Sequence, residues 1–419
     1  MISTHHSLSD FTGLTPLSET TTCVDPQAAY RVLRERWGQV APVELEPGVP
    51  AWLVMGYPEI LHVVRNERLF ARNPLHWRLL SDGVVRQDSG LGPMMFPRDN
   101  AYFADGARHR RLRAPLDEGI AGIDQHALVR SLQATCRDLI RGFAERGEAD
   151  LVTEYASVIP MLAVSSLFGI STEHGHQLRA GLIALFGSGE DSQEGNRTFE
   201  RILTEVMQSH AASPAKDLTT AFLTHPNLHD SDEVVQSIVL MISAGYETTT
   251  SWITQTIRLM LTDPRFAGRL HGGRLGVDDA LDEVLFRDPP MANMPARYVL
   301  ADTELAGQPI RAGDALILGL GAANADARMH TDDPWLETGN RSHLAFSAGP
   351  HTCPALDPSR LITRTAVTTA LTELHDLTLA IRPEEIELLP SPWTRCPASL
   401  PVRFVVSDVP IVEQEVSHG

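Results

Sequence analysis

A run of helical periodicity that opens at Asp230-Ser231-Asp232-Glu233 and continues to about Leu261 constrains this chain more than any other feature. Such an opening is a helix-start signal, because its side chains satisfy the free N–H groups of the first turn. At 1.5 Å per residue the helix is roughly 45 Å long, enough to cross an entire domain. No repeat, low-complexity block or Pro/Gly/Ser linker divides the 419 residues. The reading is one continuous domain over 25–407, with an N-terminal arm (1–24) and a C-terminal tail (408–419).

Hydrophobic residues make up 43% and charged residues 21%, ordinary usage for a globular chain long enough to bury a large core. Thirty-five basic against 53 acidic residues leave a net charge of −18, which argues against nucleic acid or an anionic membrane as a general partner. The polar start Met1–Asp10 has no basic-then-apolar leader pattern, and no stretch approaches 18 apolar residues. The four cysteines, Cys23, Cys136, Cys353 and Cys396, form no C-x-x-C pair. The expectation is a cytoplasmic protein with free thiols.

Along the chain, Asp25-Pro26 opens a helical pattern to Leu33, and Val43–Glu46 and Trp52–Val54 flank Pro47-Gly48 as a strand pair. From Phe70 to Ala104 the pattern is irregular, and loops of that length are usually functional or disordered. Helical periodicity then runs from Gly106 to about Gly187, interrupted at Pro160 and Gly169. Short strands are expected at Arg297–Leu300, Ala315–Leu318 and Val402–Val406, with a helix just after Cys353. The fold class is mainly α with small β-sheets.

Three places break local rules. In Phe346-Ser347-Ala348-Gly349-Pro350-His351-Thr352-Cys353-Pro354-Ala355, Gly349-Pro350 fixes the backbone and Pro354 suits the first turn of a helix. Backbone donors and the helix dipole would favour a thiolate at Cys353, which with Phe346 alongside suits a proximal haem ligand. A lone cysteine of this kind is more often a small buried residue, and only its Phe/Gly/His setting lifts it above that. In Ala244-Gly245-Tyr246-Glu247-Thr248-Thr249-Thr250, a mid-helix glycine and a threonine run weaken the long helix. An acid beside an alcohol there can relay protons, although a packing notch is the commoner meaning. In His109-Arg110-Arg111-Leu112-Arg113, His109 and Arg113 share a helix face and could hold an anion, where a solvated basic surface is the ordinary explanation.

Together the three resemble one family. From Asp25 to Val406 the sequence is similar to the cytochrome P450 superfamily, specifically its bacterial, actinobacterial-type members. Phe346, Gly349, His351 and Cys353 match the haem loop F-G-x-G-x-H-x-C-x-G in order, with Ser347 and Ala355 in place of two glycines. Ala244, Gly245, Glu247 and Thr248 match [AG]-G-x-[DE]-T, His109 and Arg113 match H-x-x-x-R, and Arg297 matches the arginine before the small sheet. The family's E-x-x-R is broken: Glu283 is in place and Phe286 stands where the arginine should be. A buried unpaired carboxylate is costly, so Glu283 is expected to pair with Arg341, with Phe286 packing into the lost guanidinium's space and Arg287 as a secondary partner.

The resemblance implies a triangular helical bundle enclosing haem b (iron protoporphyrin IX). Cys353 is then the iron ligand, His109, Arg113, Arg297 and His351 hold the propionates, and Glu247 and Thr248 deliver protons. The implied activity is that of a monomeric haem-thiolate monooxygenase using O2, with electrons from a ferredoxin and its reductase docking near Arg108, Arg110 and Arg111. The substrate pocket is expected from Leu91, Met94, Met95, Phe96, Leu240, Ala244, Met291, Ala292, Asn293 and Trp393. Adaptable methionines beside aromatic rings suit a sizeable aromatic secondary metabolite. Hydroxylation is the first reading. Oxidative C–C or C–N coupling of aromatic or cyclodipeptide-like substrates is the alternative, and a haem-binding protein without turnover is the rival of another class, against which the Glu247-Thr248 pair speaks.

Overall fold

A computed structural model of the chain describes residues 8–185, 190–267, 275–331, 333 and 336–406. The tail expected over 408–419 lies outside these residues, as do the first seven residues of the arm.

Helix α1 (Pro26–Trp37) starts where Asp25 accepts from the backbone N–H groups of Gln27 and Ala28. A six-stranded sheet follows the order β1 (Thr15–Pro16), β2 (Val40–Glu46), β3 (Val49–Val54), β7 (Ala315–Gly319), β6 (Asn293–Val299) and β4 (Phe70–Ala71). Gly48, at φ 80°, makes the turn between β2 and β3. A second sheet has β9 (Pro401–Val406) between β8 (Leu374–Leu379) and β5 (Glu148–Asp150). The helices that position the site are α2 (Tyr57–Arg65), α3 (Gly106–Ala121), α4 (Gln125–Phe143), α5 (Val158–Leu167), α6 (Thr172–Leu185), α7 (Glu190–Ala212), α8 (Ser231–Thr262), α9 (Val277–Arg287) and α10 (Leu356–Glu373). None of the described helices is long and apolar enough to cross a membrane.

Helix α8 runs through the middle, packed against α5, α9 and α10. Its start matches the capping signal: the Asp230 carboxylate accepts from the Glu233 N–H at 2.9 Å. Its second half, from Thr249 to Ile257, is buried throughout. Four readings of the sequence need correction. The segment 70–104 contains short helical turns at Pro74–His76, Arg78–Ser81 and Gly92–Met95, because its prolines are compatible with first helical turns. Within 106–187, the short strand β5 escapes a helical reading because three residues carry no periodicity. Pro160 lies in the first turn of α5, where its missing N–H leaves no bond unmade. The haem-loop helix begins at Leu356 rather than directly behind Cys353.

Arg111 also corrects an expectation. It is half-buried, donates to both Glu233 oxygens at 2.5 and 2.7 Å, and is therefore committed to joining α3 to the start of α8. Arg108 is paired with Asp99. Of the three basic residues expected at a docking face, Arg110 is the exposed one without an ion pair among the described contacts.

The Arg111 hydrogen bonds bring the Glu233 carboxyl down to about 2 from its usual 4.5. A depressed carboxyl contributes stability above its unfolded value and loses it as pH falls through the folded one. The prediction is that this pair contributes on the order of 2 kcal/mol at pH 7, fading between pH 4.5 and 2. Denaturant unfolding of Glu233→Gln across that window should show a shallower acid slope than the parent. Parallel slopes would sink the idea.

Candidate functional site: a half-buried thiol under a cationic cradle

The loop before α10 is built by short-range backbone bonds. The Cys353 N–H donates to the Phe346 carbonyl at 3.0 Å, closing an eight-residue hairpin around Gly349. Gly349 sits at φ 72°, and a Cβ there would lie 2.6 Å from the Val64 carbonyl oxygen at the end of α2. Only glycine fits. Ser347 also adopts a left-handed backbone, φ 60°, where the related motif has glycine, and its buried hydroxyl is unpartnered. Ala355 has an ordinary negative φ, so its lost glycine carries no strain. Phe346 packs edge-on against Trp252 of α8, ring centroids 5.8 Å apart. Burial pushes the Cys353 thiol up, and the Ala355 N–H and Arg113 pull it only partly back. These donors alone do not make a thiolate. A coordinated metal does, because the ion's own charge dominates such a site.

Above the loop, side chains from four segments converge. His109 and His351 stack with ring centroids 3.9 Å apart. Arg297, 1% exposed, comes from β6. Arg113 donates to the Thr352 carbonyl at 2.7 Å and to Asp117 at 2.7 Å, so it holds the loop one residue before the cysteine. Arg72, 2% exposed, is a member that sequence reasoning missed. It donates to Tyr102, Pro295 and Ala296 carbonyls, and its guanidinium lies 3.6 Å over the Tyr102 ring. No motif flags an isolated arginine after β4, and only the fold brings it beside a strand more than 200 residues away.

This cradle has a telling polar balance. Among the described residues, His109 Nε2, His351 Nε2, Arg72 Nη2 and Arg297 Nη2 are buried without a hydrogen-bond partner, the nearest carboxylate being Glu67, 3.6 Å from His351 Nε2. Burial, reinforced by neighbouring cations, lowers His109 to about 4 and drives His351 far below its usual range. The same causes, burial first and then Arg72, lower Arg297. Two buried guanidiniums with free N–H groups, beside imidazoles that burial keeps neutral, call for an anion. Glu67, His109 and His351 also bring ligand atoms within 4.8 Å of one another. The surrounding guanidiniums oppose a bare metal cation there, so the cluster reads as part of the anion cradle. These residues fit the two propionates of a haem.

On α8, a Cβ at Gly245 would meet Val164 of α5 at 3.2 Å, so this glycine serves close helix packing. Thr248 donates back to the Ala244 carbonyl at 2.9 Å, and Thr250 and Thr254 do the same one turn at a time. Glu247 does not meet Thr248. Successive residues lie about 100° apart on a helix, and the Glu247 carboxylate accepts instead from the Thr394 hydroxyl in the C-terminal loop.

The expected pocket residues divide. Leu91, Met95 and Trp393 are buried together in one cluster, with Met94, Phe96 and Met291 partly buried against it. Ala244 is exposed on α8, while Leu240 packs into a separate cluster with α5, α6 and α7. Ala292 is buried and uses its carbonyl to accept from Gly321. Asn293 is committed elsewhere: its amide donates to Thr20 and to the Pro392 carbonyl, tying the N-terminal segment to the C-terminal loop.

The expected Glu283–Arg341 pair is corrected outright. Glu283, buried on α9, accepts from Arg265 at 2.7 Å, and Arg287 lies 3.0 Å away on the next turn. Arg341 reaches the neighbouring carboxylate, Asp282, at 3.0 Å, where Arg360 also pairs. Consecutive helix positions face different directions, and it is Asp282 that faces the segment carrying Arg341. Phe286 packs edge-on against His330, centroids 4.2 Å apart.

No protein-family model matches the chain. It is 25% identical over 386 residues to 2-hydroxy-5-methyl-1-naphthoate 7-hydroxylase of Streptomyces carzinostaticus, covering 89% of this chain and 93% of the relative. It is 26% identical over 386 residues to cytochrome P450 107B1 of Saccharopolyspora erythraea, covering 89% and 94%. The solved structure of CYP154C4 from Streptomyces sp. ATCC 11861 shares the fold, with a TM-score of 0.85 at 23% identity over 94% of this chain and 99% of that one. Likeness to these relatives over 89% of the chain, on a fold that sets one half-buried thiol beside an anion cradle, places the chain in the cytochrome P450 superfamily of haem b-dependent oxidoreductases.

Proposed function

We propose that this protein is a haem-thiolate monooxygenase of secondary metabolism. In this reading it works in the cytoplasm on a sizeable aromatic substrate, with electrons from a ferredoxin and its reductase. The observation that carries the reading is the set of four buried nitrogens without hydrogen-bond partners, His109, His351, Arg72 and Arg297, beside the loop that carries Cys353. His109, Arg113, Arg297, His351 and Arg72 would hold the propionates, and Cys353 would ligate the iron. When bound, the haem supplies the oxygen chemistry: with two electrons and two protons, O2 yields one oxygen atom for the substrate and one water.

This chain's own residues prepare the rest. Trp252 fixes Phe346 beside the loop, and Arg113 anchors the Thr352 carbonyl, so the thiol is held from both sides. Glu247 is half-buried, and burial raises its carboxyl above the usual carboxylate range, which favours the protonated form. Thr248 keeps its hydroxyl oxygen available as an acceptor while its proton goes to Ala244. Met94, Phe96 and Met291 offer a deformable, ring-compatible wall, and the naphthoate hydroxylase relative acts, by its name, on a fused aromatic acid.

A spectral-shift screen of fused-ring aromatic acids against the purified holoprotein tests the reading, followed by product analysis with a ferredoxin and its reductase. At least one ligand should shift the haem spectrum and gain one oxygen atom. Hits that bind but return unmodified would favour a binder without turnover.

A further inference from the structure

The C-terminal loop does more than wall the site. Thr394 is bridged to Met291, the Arg395 N–H donates to the Pro290 carbonyl, and the Asn293 N–H donates to the Trp393 carbonyl. On the other side Ser251 and Gln255 of α8 both donate to the Arg395 carbonyl, at 2.6 and 3.2 Å. The loop is thus fastened to α8 one turn beyond Glu247. That attachment delivers the Thr394 hydroxyl to the Glu247 carboxylate. Ser391 Oγ lies 3.1 Å from Thr394 Oγ1 and accepts from the Trp393 and Thr394 N–H groups, each at 3.1 Å.

Proton counting gives this chain a direction. Thr394 has one hydroxyl proton, and the carboxylate takes it. Ser391 Oγ already accepts from two backbone donors, so its own proton is the one free to point at Thr394 Oγ1. Ser391 is half-buried and Thr394 is fully buried, so the chain leads from the solvent side inward.

We propose that protons reach Glu247 from solvent through the Ser391 and Thr394 hydroxyls, and that Thr394 is the positioning residue that aims the Glu247 carboxyl. This rests on the proposed role of Glu247 as proton carrier. In each passage water gives a proton to Ser391, Ser391 gives one to Thr394, and Thr394 gives one to the carboxylate. Each hydroxyl loses one proton and gains one, and no bond between heavy atoms changes. The other titratable group beside Glu247 is Cys396, pushed up to about 12 by burial and by Glu247 itself, so it stays a thiol and does not compete.

Infrared spectroscopy of the holoprotein tests this without substrate. The protonated carboxyl band of Glu247 is identified by its loss in Glu247→Gln, and its hydrogen–deuterium exchange is timed after dilution into heavy water. Thr394→Val, which keeps the buried shape, and Ser391→Ala should each slow exchange by about tenfold or more, and Thr394→Ser should restore it. Thr394→Val should also raise the band's titration midpoint, because the hydroxyl donor lowers it. A shifted band with unchanged exchange in Thr394→Val and Ser391→Ala would leave Thr394 a structural contact and overturn the route. Slowing in Thr394→Val alone would overturn entry through Ser391. Absence of any band that Glu247→Gln removes would take down the Glu247 role as well. Loss of the oxygenase reading would instead appear as missing product with Thr394-dependent exchange intact.

Discussion

Replacing Cys353 by alanine is expected to abolish the thiolate signature of the reduced carbon-monoxide adduct completely, with most of the haem lost on purification. The other cysteines offer no substitute. Cys136 is fully buried in the α4 core, its thiol pushed up to about 11 by burial. Cys396 is buried against Ser251 and Glu247. Cys23 lies in the N-terminal segment, where its carbonyl accepts from Arg395. Metal ligation is the largest single interaction available to such a site, on the order of 10 kcal/mol in metal-nucleated folds, so no redistribution of weaker contacts would mask its loss. The reduced carbon-monoxide difference spectrum is the measurement. An unchanged thiolate band in Cys353→Ala would remove the assignment, whatever the fold.

The second large effect is expected at Glu283. Its carboxylate is 5% exposed and depends on Arg265 and Arg287. Arg265 makes the aligned hydrogen bond, whereas the Arg287 Nε is close without hydrogen-bond alignment. Removing both guanidiniums in Arg265→Ala/Arg287→Ala leaves a buried charge unpaired, which should cost about 3–5 kcal/mol. Arg341→Ala should cost under about 1 kcal/mol, because an exposed partner contributes little. Its side chain is 70% exposed, and Asp282 keeps Arg360. Urea unfolding of the holoproteins gives the ranking. A larger loss in Arg341→Ala than in the double variant would restore the pairing that the motif suggested.

The same region shows how a broken motif is absorbed. With Phe286 in the arginine position, the ionic contacts divide between two adjacent carboxylates. Asp282 ties α9 to Arg341 and to Arg360 of α10, while Glu283 ties it to Arg265 beyond the end of α8. Phe286 meets His330, so an aromatic contact links α9 to the segment before the haem loop where a guanidinium would have done so. Two buried carboxylates keep cationic partners, as the cost of burying an unpaired charge requires.

Some of this protein was legible from sequence alone, and the reason is range. The Asp230 cap and the turn at Gly48 are set by interactions within a few residues, so their side-chain chemistry announces them. The joint spacing of Phe346, Gly349, His351 and Cys353 is likewise local, as are the back-bonded threonines of α8. Other features required the fold, because they join residues whose separation carries no pattern. Glu247 meets a hydroxyl 147 positions away, since the loop carrying Thr394 is fastened to α8 by Ser251 and Gln255. Arg72 joins the cradle because β4 pairs with β6, which carries Arg297. Asp282 rather than Glu283 meets Arg341 because a step of one residue turns a helix by about 100°. Residue type and spacing named the chemistry of the site; which partner each buried charge found was decided by the packing of α8, α9 and the C-terminal loop.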